Sequence, residues 1–108
     1  MSVKENVTPE ELLARITSKK PPVVVDVRSR AEFDGGHVPG AVHIPFWKAR
    51  SARVSIPATK DDPIVVYCKH GPRAWMAGAA LKRRGFKHIS YLTGHMHAWR
   101  KAGLREET

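Results

Sequence analysis

A lone cysteine followed by basic residues is the strongest chemical signal in this sequence. Cys68 is the only cysteine among the 108 residues. The apolar run Ile64 to Tyr67 before it predicts a buried strand, and the residues after Pro72 have a helical pattern. A thiol between a strand end and a helix start lies near free backbone N–H groups, which stabilise an anionic sulfur. The pattern therefore predicts that Cys68 is a nucleophilic thiolate.

The residues after the cysteine are candidates for binding an anionic substrate. Gly71 allows the chain to curl so that backbone N–H groups point inward at the sulfur. Two cationic side chains add a positive field at the same place. The candidate substrate-binding residues are Lys69, His70, Gly71, Pro72 and Arg73.

The spacing between the cysteine and the arginine bears on the type of reaction. Four residues separate Cys68 from Arg73, whereas phosphatase-like cysteine loops have one residue more and so have space for a phosphoryl group. The shorter loop favours a single extra sulfur atom on the cysteine. A phosphatase or arsenate reductase stays an alternative, as does a buried core cysteine without a catalytic role.

Alternating strands and helices must position this loop. The segment Thr8 to Glu11 combines an N-cap, a proline at the first helical position and a capping-box glutamate, which predicts a first helix. The apolar run Val23 to Val27 predicts a strand buried on both faces, and Ser29 to Glu32 repeats the capping box before a short helix. Further strands are predicted at residues 41–44, 64–67 and 89–92, a short helix and loop within 46–58, and helices after Pro72 and at 95–102. This order predicts an α/β fold with an open parallel sheet between helices.

Length and charge limit the classes of protein to consider. The chain has the length of one domain, which we expect to cover residues 1–108 with a core of about residues 5–104. The net charge of +9 favours anionic ligands, but the basic clusters lack interleaved aromatic residues, so we expect no nucleic-acid partner. No apolar stretch approaches the length of a membrane span, and the first residues of this sequence lack the apolar run typical of a secretory signal. A single cysteine needs no oxidising compartment, so we expect a cytoplasmic location.

Motifs along the whole chain resemble those of the rhodanese homology domain. The residues from Cys68 to Arg73 resemble the rhodanese active loop, Cys-x-x-Gly-x-Arg. Asp26-Val27-Arg28 together with Glu32-Phe33 is similar to the first motif of the family, and Gly36 to Pro45 to its characteristic central segment. Residues 81–86, and residues 92–94 with 98–99, are similar to its C-terminal pattern. The order of these motifs identifies the chain as a member of the single-domain rhodanese-like sulfurtransferases.

The resemblance implies a three-layer sandwich around a parallel sheet and a thiosulfate sulfurtransferase activity. A Cys68 persulfide would carry sulfane sulfur from thiosulfate or a persulfide donor to cyanide or an external thiol, which a protein could supply. No cofactor and no metal are implied. A non-enzymatic sulfur-relay or regulatory module that binds a partner protein is the remaining alternative.

Several residues need a separate assessment. Ala74 stands where the family often has serine, His95 replaces a frequent glycine, and Trp75-Met76 is unusually bulky, so these positions leave the choice of substrate open. A buried Asp26 needs polar partners. We expect Asp26 and Arg28 to support the loop from behind rather than to react. His95 and His97 lack further ligands nearby, so a metal site is not favoured.

Overall fold

The computed structural model describes residues 6–108 and has a parallel sheet of five strands at its centre. The strands are β1 (Asn6–Val7), β2 (Val23–Asp26), β3 (Val42–His43), β4 (Pro63–Tyr67) and β5 (His88–Leu92). The helices are α1 (Pro9–Ile16), α2 (Arg30–Asp34), α3 (Pro72–Arg83) and α4 (His95–Lys101), with a single 3-10 turn at Phe46–Lys48.

The order of the strands brings three strand ends together at one edge. The sheet runs β1-β5-β4-β2-β3, and every pair of neighbours is parallel. Asp26 at the end of β2 pairs with Tyr67 at the end of β4, and Val66 pairs with Tyr91 near the end of β5. The residues that follow these three strands therefore share one edge, where open α/β folds place their sites.

Helices cover both faces of the sheet and bury a separate apolar cluster on each. On one face, α3 packs Ala74, Ala77 and Leu81 against the strands. The narrow row of small side chains lets this helix lie close to the sheet, and the hydroxyl of Tyr91 occupies the space beside Gly78. On the opposite face, α1 contributes Leu12 and α4 contributes residues 96 and 99. The three-layer α/β sandwich predicted from the sequence is confirmed.

Both predicted capping boxes are present. The Thr8 hydroxyl accepts the Glu11 N–H at 3.1 Å, and the Glu11 carboxylate accepts the Thr8 N–H at 3.0 Å. The same reciprocal bonds join Ser29 and Glu32, at 3.2 and 3.1 Å. These bonds satisfy backbone donors that the first turn of a helix leaves free.

The boundaries of some strands differ from the prediction. The strand predicted at residues 41–44 is limited to Val42–His43, since the Ala41 N–H turns back to the Val38 carbonyl, although Ile44 still donates to the Asp26 carbonyl. The strand predicted to end at Val27 ends at Asp26. Strand β1 was not predicted, since two residues are too few for a periodic pattern. Among residues 6–108, no helix combines the length and apolar character needed to cross a bilayer.

Candidate active site

Cys68 lies directly after β4, at the edge where the strand ends meet. The backbone N–H of Gly71 donates a hydrogen bond of 2.9 Å to its Sγ. The Cys68 residue is only 1% exposed and packs with the core cluster beneath α3. The sulfur is therefore held under a tight turn rather than displayed at the surface. An N–H directed at sulfur is a donor for negative charge that develops there during a reaction.

Gly71 is required by both the geometry and the packing of this turn. Its φ of 138° lies in the region that residues with a side chain rarely adopt. A Cβ atom at this position would also lie 2.9 Å from the ring of Trp75. Trp75, in the first turn of α3, thus lies against the turn, and it is 56% exposed. Its indole therefore lies beside the turn that follows the cysteine.

His95 holds the cysteine backbone from the neighbouring strand end. Its Nδ1 accepts the Cys68 N–H at 3.2 Å, and the next residue, Met96, donates its N–H to the Cys68 carbonyl at 3.0 Å. Burial, together with the nearby charge of His70, lowers the pKa of His95, which favours the neutral ring that this acceptor role needs. His95 has a φ of 55°, which is uncommon outside glycine. The backbone at Cys68 is therefore fixed on both sides.

Sequence reasoning did not find this role for His95. The available signal was its position at the end of β5, because ends of neighbouring parallel strands meet at one edge. Using that signal requires knowing that β5 lies beside β4, which is a property of the assembled sheet.

Arg73 and Glu32 form an ion pair at the edge of the turn, here called the loop rim. Two guanidinium nitrogens donate to the two carboxylate oxygens at 2.7 and 3.1 Å. Each side chain is about one-third exposed, at 30% and 31%. The hydrogen bond from Arg73 outweighs partial burial and lowers the pKa of Glu32 to about 2. Arg73 therefore already uses two of its guanidinium N–H groups as hydrogen-bond donors to Glu32.

A second arginine–carboxylate pair lies behind the turn and is fully buried. Arg28 donates from Nη2 to Asp26 at 2.8 Å, and the Tyr67 hydroxyl donates to the same carboxylate oxygen at 2.7 Å. The Tyr67 oxygen in turn accepts the Val38 N–H at 3.0 Å, and Arg28 also donates to the Gly36 carbonyl at 2.8 Å. We call Asp26, Arg28 and Tyr67 the inner network. Because Tyr67 precedes Cys68, this network fixes the strand end from which the cysteine projects.

Burial and charge perturb the groups of the inner network in a consistent direction. Burial raises the pKa of Tyr67, and the adjacent Asp26 charge adds to the increase. Although burial alone lowers the pKa of Arg28, its hydrogen bonds and attraction to Asp26 hold it above its ordinary value. The phenol thus stays neutral and the guanidinium stays charged. Arg28 is thus one of the polar partners that a buried Asp26 needs, whereas no pattern in the sequence indicated Tyr67 as a partner.

The remaining predicted site residues lie on the outer side of the turn. Lys69, His70 and Pro72 are exposed. The rings of His70 and His97 are 5.6 Å apart. Within residues 6–108, no group of three or more histidine, cysteine or acidic side chains is arranged to hold a metal ion. The structure thus combines a buried sulfur that accepts a backbone hydrogen bond with a cationic outer surface, an arrangement suited to nucleophilic attack on an anion.

Known proteins with related sequences carry names of sulfur-transfer enzymes. The chain is 33% identical over 95 residues to a sulfurtransferase of Allochromatium vinosum, with 88% of this chain and 87% of that protein covered. It is 29% identical over 85 residues to the thiosulfate sulfurtransferase GlpE of Coxiella burnetii, covering 79% and 78%. Some relatives are longer. The segment that matches the probable adenylyltransferase/sulfurtransferase MoeZ of Mycobacterium tuberculosis covers 88% of this chain but 24% of that protein, at 36% identity.

Solved structures and the family signature agree with these relatives. The human single-domain sulfurtransferase TSTD1 superposes with a TM-score of 0.79 at 26% identity, covering 90% of this chain and 96% of that one. Residues 8–102 match the rhodanese-like domain. The fold, the cysteine turn and these similarities together show that the chain belongs to the rhodanese-like sulfurtransferase family.

Proposed function

We propose that this protein transfers sulfane sulfur from thiosulfate, or from a persulfide donor, through a persulfide on Cys68. The observation that carries the proposal is the hydrogen bond from the Gly71 N–H to Cys68 Sγ at the strand edge. This donor stabilises negative charge on sulfur both before the reaction and after a second sulfur is added. The name of the Coxiella relative, a thiosulfate sulfurtransferase, supports thiosulfate as the donor.

The first step is a displacement at sulfur. The Cys68 thiolate attacks the outer sulfur of thiosulfate, a new S–S bond forms, and the original S–S bond breaks. Sulfite leaves with the bonding electron pair, so the enzyme retains Cys68–S–S⁻. Arg73 would bind the sulfonate of the donor with N–H groups not directed at Glu32, and Lys69 would contribute a mobile positive charge.

The second step regenerates the thiolate. Cyanide, or a thiolate from outside the chain, attacks the terminal sulfur, and the S–S bond to Cys68 breaks. The products are thiocyanate or an acceptor persulfide, with the free Cys68 thiolate. The chain has no other cysteine that could resolve the persulfide internally, so the acceptor comes from outside.

Access to the sulfur requires movement at the turn. Cys68 is 1% exposed, so the donor reaches Sγ when residues at the turn move aside, and we propose Trp75, which lies against Gly71, as one of them. This requirement also explains the value of a buried site. A persulfide sheltered from water and from unselected thiols survives until its acceptor arrives.

The alternatives make different demands on the site. A phosphatase or arsenate reductase needs space for a tetrahedral oxyanion, whereas here the Gly71 N–H already lies at 2.9 Å from the sulfur. A purely regulatory module needs no nucleophile, and the retained, hydrogen-bonded cysteine supports transfer chemistry. A cytoplasmic location belongs to the same proposal, because reducing conditions keep the lone thiol free to react.

The direct test is thiocyanate formation from thiosulfate and cyanide. We expect turnover by the native chain and none by Cys68→Ser. An aryl phosphate, as a probe for phosphatase activity, should not be hydrolysed. Thiocyanate formation that survives Cys68→Ser, or phosphate release that depends on Cys68, would overturn the proposal.

A further inference from the structure

The two chain segments that form α3 and its surroundings carry cationic side chains and no acidic residue. All residues from 63 to 105 lack aspartate and glutamate, and so do all residues from 35 to 60. These two segments contain the cysteine turn, α3 and the stretch after β3. Cationic side chains therefore outnumber carboxylates around α3, although Glu32 of α2 pairs with Arg73 at the loop rim.

A groove runs between α3 and the segment that follows β3, and we call it the basic groove. It has a volume of about 630 Å³. Among its lining residues are Phe46, Trp47, Arg50, Met76, Ala79 and Arg83. Arg84, directly after α3, joins the two walls, because its guanidinium donates to the carbonyls of Ala49 and Val54 at 2.8 and 2.7 Å.

Exposed apolar side chains connect this groove with the cysteine turn. Within residues 6–108, the exposed large hydrophobic side chains are Trp47, Trp75 and Met76, at 56%, 56% and 60%. Trp47 and Met76 line the groove. Trp75, which directly precedes Met76 in α3, lies against Gly71 of the turn. A cluster of large apolar side chains in water beside a reactive centre is characteristic of an interaction surface.

We propose that the basic groove and Trp75 form the docking surface for an acidic acceptor protein, one that presents a thiol together with an apolar side chain. This inference rests on the proposed function, since it names the class of acceptor for the Cys68 persulfide. Arg50 and Arg83 would pair with carboxylates of the partner, while Met76 and Trp47 would bury its apolar side chain. The same contact would displace Trp75 and open the turn.

Charge and chemistry favour this occupant over two others. A second copy of the chain carries the same positive face and is repelled. A nucleic acid would meet a groove with few free cations, Arg50 and Arg83, whereas its affinity depends on many phosphate contacts. A persulfide is discharged to a thiol, which a protein side chain supplies.

Binding can be measured separately from catalysis with a pair of synthetic peptides. One peptide is rich in glutamate and contains leucine, phenylalanine and a terminal cysteine blocked by alkylation. In the matched peptide, lysine replaces each glutamate. By fluorescence anisotropy, the acidic peptide should bind at least about tenfold more tightly. Because the cysteine is blocked, this readout does not depend on sulfur transfer.

Matched charge reversals identify the surface. The double variant Arg50→Glu/Arg83→Glu should weaken binding of the acidic peptide by about tenfold or more. The control variant Lys19→Glu/Lys20→Glu makes the same change in net charge after α1, on the other face of the sheet. It should change the affinity for the acidic peptide by less than about twofold. Met76→Ser should weaken binding without changing the charge.

A transfer assay then connects the surface with function. With the peptide cysteine free, the Arg50→Glu/Arg83→Glu variant should deliver sulfur to the acidic peptide more slowly, while discharge of a preformed persulfide to cyanide stays unchanged. Equal binding of both peptides, equal loss in the two double variants, or displacement of the acidic peptide by an oligonucleotide would overturn the docking proposal. Absence of any persulfide would overturn the proposed function but not the binding result.

Discussion

Two arginine–carboxylate pairs flank the cysteine turn, and they differ mainly in burial. In the inner network, Arg28 and Asp26 are 2% and 0% exposed. At the loop rim, Arg73 and Glu32 are 30% and 31% exposed. The inner pair shares its carboxylate with the Tyr67 hydroxyl, whereas the rim pair shares its carboxylate with the N-cap of α2. The same chemical pair therefore serves two different purposes.

The difference shows how burial separates support from binding. A buried ion pair has lost its hydration and depends on its partners, so it cannot exchange them for a ligand. A partly exposed pair keeps contact with water and loses little when a ligand takes over some of its donors. We therefore expect changes in the inner network to lower stability, and changes at the loop rim to lower activity.

The largest expected effect is at Asp26. Asp26→Asn would leave the Arg28 charge buried without compensation and should lower the free energy of unfolding by about 3–5 kcal/mol. Urea denaturation at neutral pH measures this value. A loss below about 1 kcal/mol would show that the inner network does not support the fold as described.

The second effect concerns donor binding at the rim. Arg73→Ala should raise KM for thiosulfate by about tenfold, because it removes the charge that faces the donor. Its cost in stability should be only about 1 kcal/mol, as expected for a partly exposed pair. Arg73→Lys keeps the charge but not the forked geometry of the guanidinium, so its KM for thiosulfate should lie between those of the native protein and Arg73→Ala. An unchanged KM in Arg73→Ala would remove Arg73 from the binding role.

The third effect is the acid dependence of the rim pair. Since the pKa of Glu32 is lowered from 4.5 to about 2 in the folded chain, its contribution is present above pH 4.5 and is lost as the pH falls towards 2. Glu32→Gln should lower the free energy of unfolding by about 1 kcal/mol near neutral pH and should leave it unchanged at the acid end of that range.

A matched control for Glu32 lies in the same helix. Asp34 pairs with Arg30, and both side chains are more than half exposed, at 55% and 75%. Asp34→Asn should therefore change the stability by less than about 0.5 kcal/mol at any pH. A pH-independent cost for Glu32→Gln, measured by denaturation across this range, would contradict the assigned ion pair.

The smallest effect is expected at His95, on the inner side of the turn. Because burial lowers its pKa below 6.5, the neutral ring stabilises the fold above that pH, and the contribution is lost as the pH falls below 6.5. His95→Asn keeps an acceptor and tolerates the left-handed backbone. Native protein should lose stability relative to His95→Asn between pH about 7 and about 5. Parallel pH curves for the two proteins would exclude this role.

Local signals in the sequence were sufficient for most of the framework. Thr8 and Ser29 predict the starts of their helices because each capping box is complete within four residues. The apolar run before Cys68 predicts the buried strand. The cysteine loop could also be predicted from the sequence, since Gly71 and the following proline set its shape locally. Such features depend on neighbours in the chain and on nothing else.

The partners within the site depend on the assembled fold. Arg73 meets Glu32 across 41 residues, and Tyr67 meets Asp26 across the same separation. Neither contact has a periodicity or spacing that a sequence could reveal. The role of His95 likewise follows from β5 lying beside β4 and from its unusual backbone conformation. Tertiary placement, rather than residue type, decided these roles.

The central claim, that Cys68 holds one additional sulfur under the turn, can be tested by intact-mass spectrometry after incubation with thiosulfate alone. The account predicts a mass increase of a single sulfur atom, located on the peptide with Cys68, reversed by cyanide and absent from Cys68→Ser. No mass increase in the native protein, or the same increase in Cys68→Ser, would contradict it.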